Sequence, residues 1–366
     1  MKKEIALSFL LTLLVFCLNY FLRTMIYHAE DIITGTYYYH QTAYPFKLRP
    51  FTSMAMFYLN EMHLSFLWSF IVHQYGLLFL FFISITRLLK QFELTQTDRI
   101  IGLFITALTF PILCIHFVPV YSYDDIWAYL CVVWMFYFII KDKFYIAALF
   151  WMISLISRES MVLLFPLFFI YRNKSKSIFS WCIPMMLPVF FYSSARIFFF
   201  PEVLEGRFTR LIVNFENADT IRQTIYSLFI SFGWLWAFII VPFKNQSDED
   251  KKLYLSAIVI SLLTIVVVLN TALVREVRLL FTPFVVIIPY VLMRFRQVIP
   301  KMKSYMTLQY ISRVILLFIV SVILTVILFP SFTYLPMIDF HRVLFAMHLT
   351  GFVIVYIVLR KVNQRE

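Results

Sequence analysis

The sequence predicts an all-α protein, a polytopic bundle of about twelve transmembrane helices, on three observations. Hydrophobic residues make up 62% of the 366, charged residues only 14%, and the mean hydropathy is +0.83; a soluble globule of this length keeps more charge against water. The apolar residues fall in long runs, which suits helices that satisfy their own backbone in lipid. Lys and Arg gather in small clusters between those runs, as topology signals do.

The runs lie at 5–22, 64–86, 100–119, 126–140, 144–157, 160–171, 178–199, 225–243, 253–273, 279–293, 311–329 and 343–359. The first follows Met1-Lys2-Lys3 and is not followed by an A-x-A-like cleavage site, so it reads as an uncleaved span. The fifth and sixth runs, of 14 and 12 residues, are short for a crossing and are separated by Arg158-Glu159. Charge settles their parity. Lys141 and Lys143 precede the pair and Arg172, Lys174 and Lys176 follow it, so two short helices or a re-entrant pair keep both clusters on one side.

Twelve passes place 21 of the 32 basic residues in the inner loops and ends. Both termini are then cytoplasmic, and the segments 23–63, 120–125, 200–224, 274–278 and 330–342 face outward. No Gly/Ser linker, low-complexity tract or repeat divides the chain, so residues 1–366 read as one transmembrane domain, with 23–63 its first extracytoplasmic loop.

A net charge of +12 raises nucleic acid as a partner, but the cations lie between spans rather than along one soluble face, and membrane lipids are the expected surroundings. Cys17, Cys114, Cys131 and Cys182 sit inside apolar runs without CxxC spacing. Neither a disulfide framework nor a zinc site is indicated.

Candidate chemistry lies on the outer side. The first loop holds His28, Glu30, Asp31, His40, Lys47 and Arg49 among many tyrosines. Adjacent acids after a first span suit a general base whose basicity rises with partial desolvation, or else an ordinary polar loop anchored by its tyrosines. Asp124 and Asp125, after Tyr121-Ser122-Tyr123, open the fourth span; they cap a helix, hydrogen-bond a polar ligand or hold a divalent cation. Arg158 and Glu159 are charges that insertion makes costly by roughly 2.5–3.5 kcal/mol each, so they pair across helices or bind phosphate. Arg275, Glu276 and Arg278 repeat the pattern in a short outer turn suited to an anionic lipid phosphate. The stretch 200–224 reads as interfacial and amphipathic, and His73, His116 and His348 as packing residues.

The order of these features resembles the GT-C superfamily of membrane glycosyltransferases, which use polyprenyl-phosphate-linked sugars. The likeness spans most of the chain. It rests on the acidic first loop followed by Arg49-Pro50-Phe51, on Tyr-Asp-Asp opening a span, on Arg158-Glu159 leading into a Leu-rich stretch with Pro166, and on Arg275-Glu276-Val277-Arg278 with Leu279, Leu280 and Pro283. The first loop departs from the D-x-D or D-E patterns of some members in having Glu30-Asp31, which leaves open which acid is the base.

The resemblance implies a sugar transferred from a polyprenyl-phosphate donor to a glycan, lipid or protein acceptor, with inversion. Asp31 would be the base, and Arg49, Arg158, Arg275 and Arg278 would steady the departing phosphate. Glu30, Asp124 and Asp125 would position hydroxyls, with a divalent cation as an option rather than a required cofactor. Glu159, the orienting partner of Arg158, and Glu276 are counted with the arginines among the substrate-binding residues. A transporter or lipid flippase, a polysaccharide polymerase, a membrane acyltransferase and a structural subunit are the alternatives.

Overall fold

The computed structural model describes residues 2–21, 29–43, 46–116, 122–172, 177–199, 210–242, 246–274, 276–302, 308–330 and 338–365, and among these it contains helices and turns but no strand. Each of the twelve apolar runs carries helix. Among the described residues five helices are long and apolar enough to cross a membrane: α1 (Lys2–Phe21), α4 (Phe66–Leu89), α10 (Phe179–Phe199), α14 (Asp248–Thr271) and α17 (Ile338–Arg365). A sixth crossing results if α12 (Ala218–Ile230) and α13 (Trp236–Ile240), bent by 70° at their junction, count as one. The remaining runs form shorter helical pieces.

Two compact units make up the chain. The first comprises Met1–Leu108 and Ile112–Glu205. In it α1 runs alongside α5 (Gln96–Leu108) in the same direction, toward Leu113 at the end of the short helix α6 (Phe110–Leu113), whose first two residues belong to the second unit. At one end Glu4 pairs with Arg99 at 2.7 Å. At the other, Asn19 Nδ2 donates to Leu113 O at 2.9 Å while its Oδ1 accepts from the His116 amide at 3.3 Å. These bonds satisfy polar groups that lipid could not.

The segment read as a loop between the first two runs contains two helices, α2 (Glu30–Thr42) and α3 (Pro50–Glu61). Glu30 and Asp31 in its first turn favour α2 through the helix dipole, and Ile33, Tyr37 and His40, at helical spacing, are its buried face. Pro50 starts α3, where its missing N–H costs nothing. α3 ends on His63 in the left-handed region (φ 67°), with His63 N bonding Asn60 O and Leu64 N bonding Leu59 O. This closes the last turn and frees the chain to enter α4.

α7 (Asp125–Ile140) ends the same way on Asp142 (φ 57°), with Asp142 N bonding Ile139 O and Lys143 N bonding Phe138 O. α8 (Phe144–Ser157) therefore starts three residues after α7 and runs back beside it. At Arg158 the chain reverses again through a 3-10 stretch, Glu159–Leu164, into α9 (Pro166–Ile170). Trp151 Nε1 donates to Met161 O at 2.8 Å, and Phe168 packs on both Trp151 and Phe144. Tyr171 meets Phe136, so residues 144–171 form a hairpin that returns to the end of the unit where it began. With about 1.5 Å per residue the 14-residue arm spans about 21 Å, short of a hydrocarbon core of about 30 Å.

The second unit comprises Thr109–Pro111 and Gly206–Glu366. A capping box at Asn217 and Thr220 starts α12, and one at Ser247 and Asp250 starts α14. α11 (Arg210–Asn214) ends on Asn214, whose Nδ2 donates to Leu269 O and Ala272 O and whose Oδ1 accepts from Val274 N, which terminates α14. Tyr226 Oη and His341 Nδ1 lie 2.8 Å apart in a buried aromatic cluster with Phe329 and Phe345. Between α12 and α13 Gly233 takes φ 52°, and a Cβ there would stand 2.1 Å from His348 Nδ1. Only glycine fits that bend. α15 (Phe284–Met302) and α16 (Leu308–Leu328) complete the unit.

Candidate functional site

The site is built in the first unit around the turn at Ser122-Tyr123-Asp124, at the Asn19 end of α1. His116 Nδ1 lies 3.2 Å from Ser122 O. Gln74 of α4 and Thr52 of α3 both donate to Tyr123 O, at 2.8 and 3.2 Å, and Tyr123 Oη meets Ser53 Oγ and Met56 Sδ, each at 3.3 Å. Two elements thus clamp the turn through its Tyr123 carbonyl. The clamp fixes where Asp124 and Asp125 point.

Asp124 occupies the N-cap position of α7 but makes no capping bond. Its Oδ2 instead stands 3.3 Å from His40 Nδ1 on α2, both side chains being buried. Neither carboxylate oxygen of Asp124 has a hydrogen-bond partner among the described residues, because the imidazole edge is within reach but not aligned. Asp125, fully buried at the start of the helix, meets Arg158 Nη1 at 2.6 Å. Glu159 Oε2 accepts from Arg49 Nη2 at 2.7 Å. The reversal after α8 thereby brings Arg158 and Glu159 against the turn and against the start of α3.

Five charged groups are gathered here: three carboxylates, of Asp124, Asp125 and Glu159, and two guanidiniums, of Arg49 and Arg158. Burial alone would lower the Arg49 guanidinium; the carboxylates of Glu159, Asp124 and Asp125 outweigh it and hold it above its ordinary value. Arg49 also lies over the Phe46 ring at 5.0 Å. Its Nε has no hydrogen-bond partner among the described residues.

In front of these charges is a cavity of about 470 Å³. Its lining includes the polar side chains of Tyr37, His40, Lys47, Arg49 and Ser53 and the more apolar ones of Met54, Phe57 and Tyr58. Lys47 is exposed. The lining offers two cations, three hydroxyls and an imidazole to a ligand with an anionic and an apolar part.

The other residues expected from sequence fall as follows. Glu30 is exposed, and its Oε2 accepts from Ser65 Oγ at 2.8 Å and from the Leu67 amide at 3.2 Å, so it holds the N-terminus of α4. Asp31 is exposed on the first turn of α2 and does not line the cavity. In the second unit, Arg278 Nη2 donates to Glu276 Oε2 at 2.8 Å. Arg275 lies outside the described residues, as do Tyr121 and His28. Among the described residues no three His, Cys, Asp or Glu side chains gather as a metal site.

Sequence reasoning missed the clamp of Gln74, Thr52 and Ser53, and it noted His40 and Lys47 only as loop residues. For His40 a signal existed, namely its helical spacing with Ile33 and Tyr37. No family model matches the chain, and no curated protein or solved structure matches it.

Proposed function

We propose that the chain is a membrane glycosyltransferase that moves a sugar from a polyprenyl-phosphate donor to an acceptor on the extracytoplasmic face, with inversion. The observation that carries this reading is the cavity of α2 and α3, whose lining combines Lys47 and Arg49 with Met54, Phe57 and Tyr58. A lipid-linked sugar phosphate has just these two parts. The guanidinium of Arg49 and the Lys47 ammonium, both lining the cavity, hold the phosphate oxygens, whose charge grows as the sugar leaves. Glu159 and Asp125 fix Arg49 and Arg158 in place, so the cations do not reorganise as charge develops.

The acceptor hydroxyl attacks the anomeric carbon from the face opposite the phosphate, and the carbon–oxygen bond to phosphate breaks with its electrons going to the phosphate. A glycan, lipid or protein supplies that hydroxyl. In this reading both termini are cytoplasmic, and the segments 23–63 and 120–125 face outward with the Arg158-Glu159 reversal.

A transporter or flippase is the second reading, favoured by the 70° break between α12 and α13, since discontinuous helices often build transport sites. The two separate in one experiment. The full chain is reconstituted in liposomes with radiolabelled polyprenyl-phosphate hexoses and an envelope extract as acceptor. A transferase releases polyprenyl phosphate and forms a new glycosidic bond, and Lys47→Ala raises the donor KM about tenfold, the equivalent of one lost contact of about 1.4 kcal/mol. Movement of donor across the bilayer without product supports the flippase instead.

A further inference from the structure

Resting on the transferase reading, we infer that His40, backed by Asp124, is the general base of the transfer. His40 lines the cavity and stands 3.3 Å from the buried Asp124 carboxylate, which does not line it. Tyr123 and Phe46 hold its ring at centroid distances of 4.0 and 4.7 Å. With Nδ1 turned inward to Asp124, Nε2 is the nitrogen presented to the cavity.

Asp124 is 3% exposed, and neither of its oxygens has a hydrogen-bond partner among the described residues. A buried carboxylate left in that state is rare and calls for a reason. A small tilt of the His40 ring aligns Nδ1–H on Oδ2, 3.3 Å away, as a hydrogen bond. That bond fixes the tautomer with its lone pair on Nε2, and the carboxylate stabilises the imidazolium formed on proton uptake. Catalytic hydrogen bonds commonly stand loose in the empty site and tighten when substrate arrives. Asp31 has no comparable place. It is exposed and does not line the cavity.

The step balances without a co-reactant. The acceptor O–H passes its proton to His40 Nε2 as the oxygen bonds the anomeric carbon, the bond from that carbon to the phosphate oxygen breaks, and polyprenyl phosphate departs with the electron pair. His40 then releases the proton to water. His40 is thus a catalytic residue and Asp124 a positioning residue.

The test uses the full chain in liposomes with a polyprenyl-phosphate hexose that wild type consumes. His40→Ala lowers kcat by about 10²–10⁴-fold, leaves the donor KM within about threefold, and regains at least about tenfold in rate on addition of imidazole. Asp124→Asn lowers kcat about 10–100-fold with the same unchanged KM and no response to imidazole. If His40→Ala does not reach the membrane, His40→Gln, which keeps the side chain's bulk, is held to the same split between kcat and KM. A His40→Ala enzyme at the wild-type rate, a loss that imidazole does not relieve, or a loss confined to Asp31→Asn overturns the assignment of the base and leaves the transferase reading standing. A wild-type chain that transfers no sugar overturns both.

Discussion

Replacing Arg158 with Gln removes the cation that faces Asp125, and the structure sets the size of the effect. The charges stand 2.6 Å apart with side-chain exposures of 5% and 0%. At an effective dielectric of about 20, unit charges at that distance attract by roughly 6 kcal/mol. Desolvation of both groups offsets much of this, but truncating one partner leaves the other buried, and such changes cost about 3–5 kcal/mol. Arg222→Gln is the internal control, because Arg222 and Asp219 form a pair with exposures of 40% and 53% for which no more than about 0.5 kcal/mol is expected.

The assay is equilibrium unfolding in mixed micelles on addition of denaturing detergent, read by tryptophan fluorescence. Trp151, bonded to Met161 beside the Arg158 reversal, is a local reporter. Asp125→Asn with Arg158→Gln completes a double-mutant cycle, and a coupling of at least about 2 kcal/mol is expected for groups in direct contact. If Arg158→Gln costs no more than Arg222→Gln and the coupling is below about 0.5 kcal/mol, the reasoning about the buried charges is wrong.

Three further outcomes follow from the same contacts. Glu30→Gln weakens the hold on the start of α4 and lowers stability by roughly 0.5–1 kcal/mol in the same titration, with kcat unchanged once the protein is folded; a kcat loss at full stability would return Glu30 to the chemistry. Asn214→Leu removes three bonds to residues 269–274, costs about 2–4 kcal/mol at about 1 kcal/mol or more per bond, and speeds amide exchange at the end of α14. Gly233→Ala forces a side chain into the left-handed region and onto His348, at a cost above about 2 kcal/mol, part of which His348→Ala restores.

The helices were legible because lipid demands long apolar runs, and the hairpin at 144–171 because Lys141, Lys143 and Arg172 lie on both sides of it and only an even number of passes keeps them together. Crossing length was less legible. Apolarity marks a buried 14-residue arm and a full span alike, so of the twelve runs five helices among the described residues, or six with the bent pair, are long and apolar enough to cross. α2 and α3 were hidden by the polar content of their segment, although Pro50 and the 33/37/40 spacing announce them.

The charged residues were recognisable one at a time, through the cost of inserting them. Their partners were not. Arg49 and Glu159 are 110 positions apart, and nothing local in either segment selects the other. Asp124 shows the limit most clearly, since its position before α7 reads as a cap, while the clamped Tyr123 carbonyl turns its carboxylate toward His40 instead.

The whole account depends on the cavity lying outside and the turn between α7 and α8 lying inside. In a cysteine-free background, replacing Cys17, Cys114, Cys131 and Cys182, single cysteines at Gln41 and Lys143, both exposed, are treated with a membrane-impermeant maleimide in intact and in permeabilised cells. The account predicts that Gln41→Cys is labelled in intact cells and Lys143→Cys only after permeabilisation. Labelling of both from the same side, or of Lys143→Cys alone in intact cells, contradicts it.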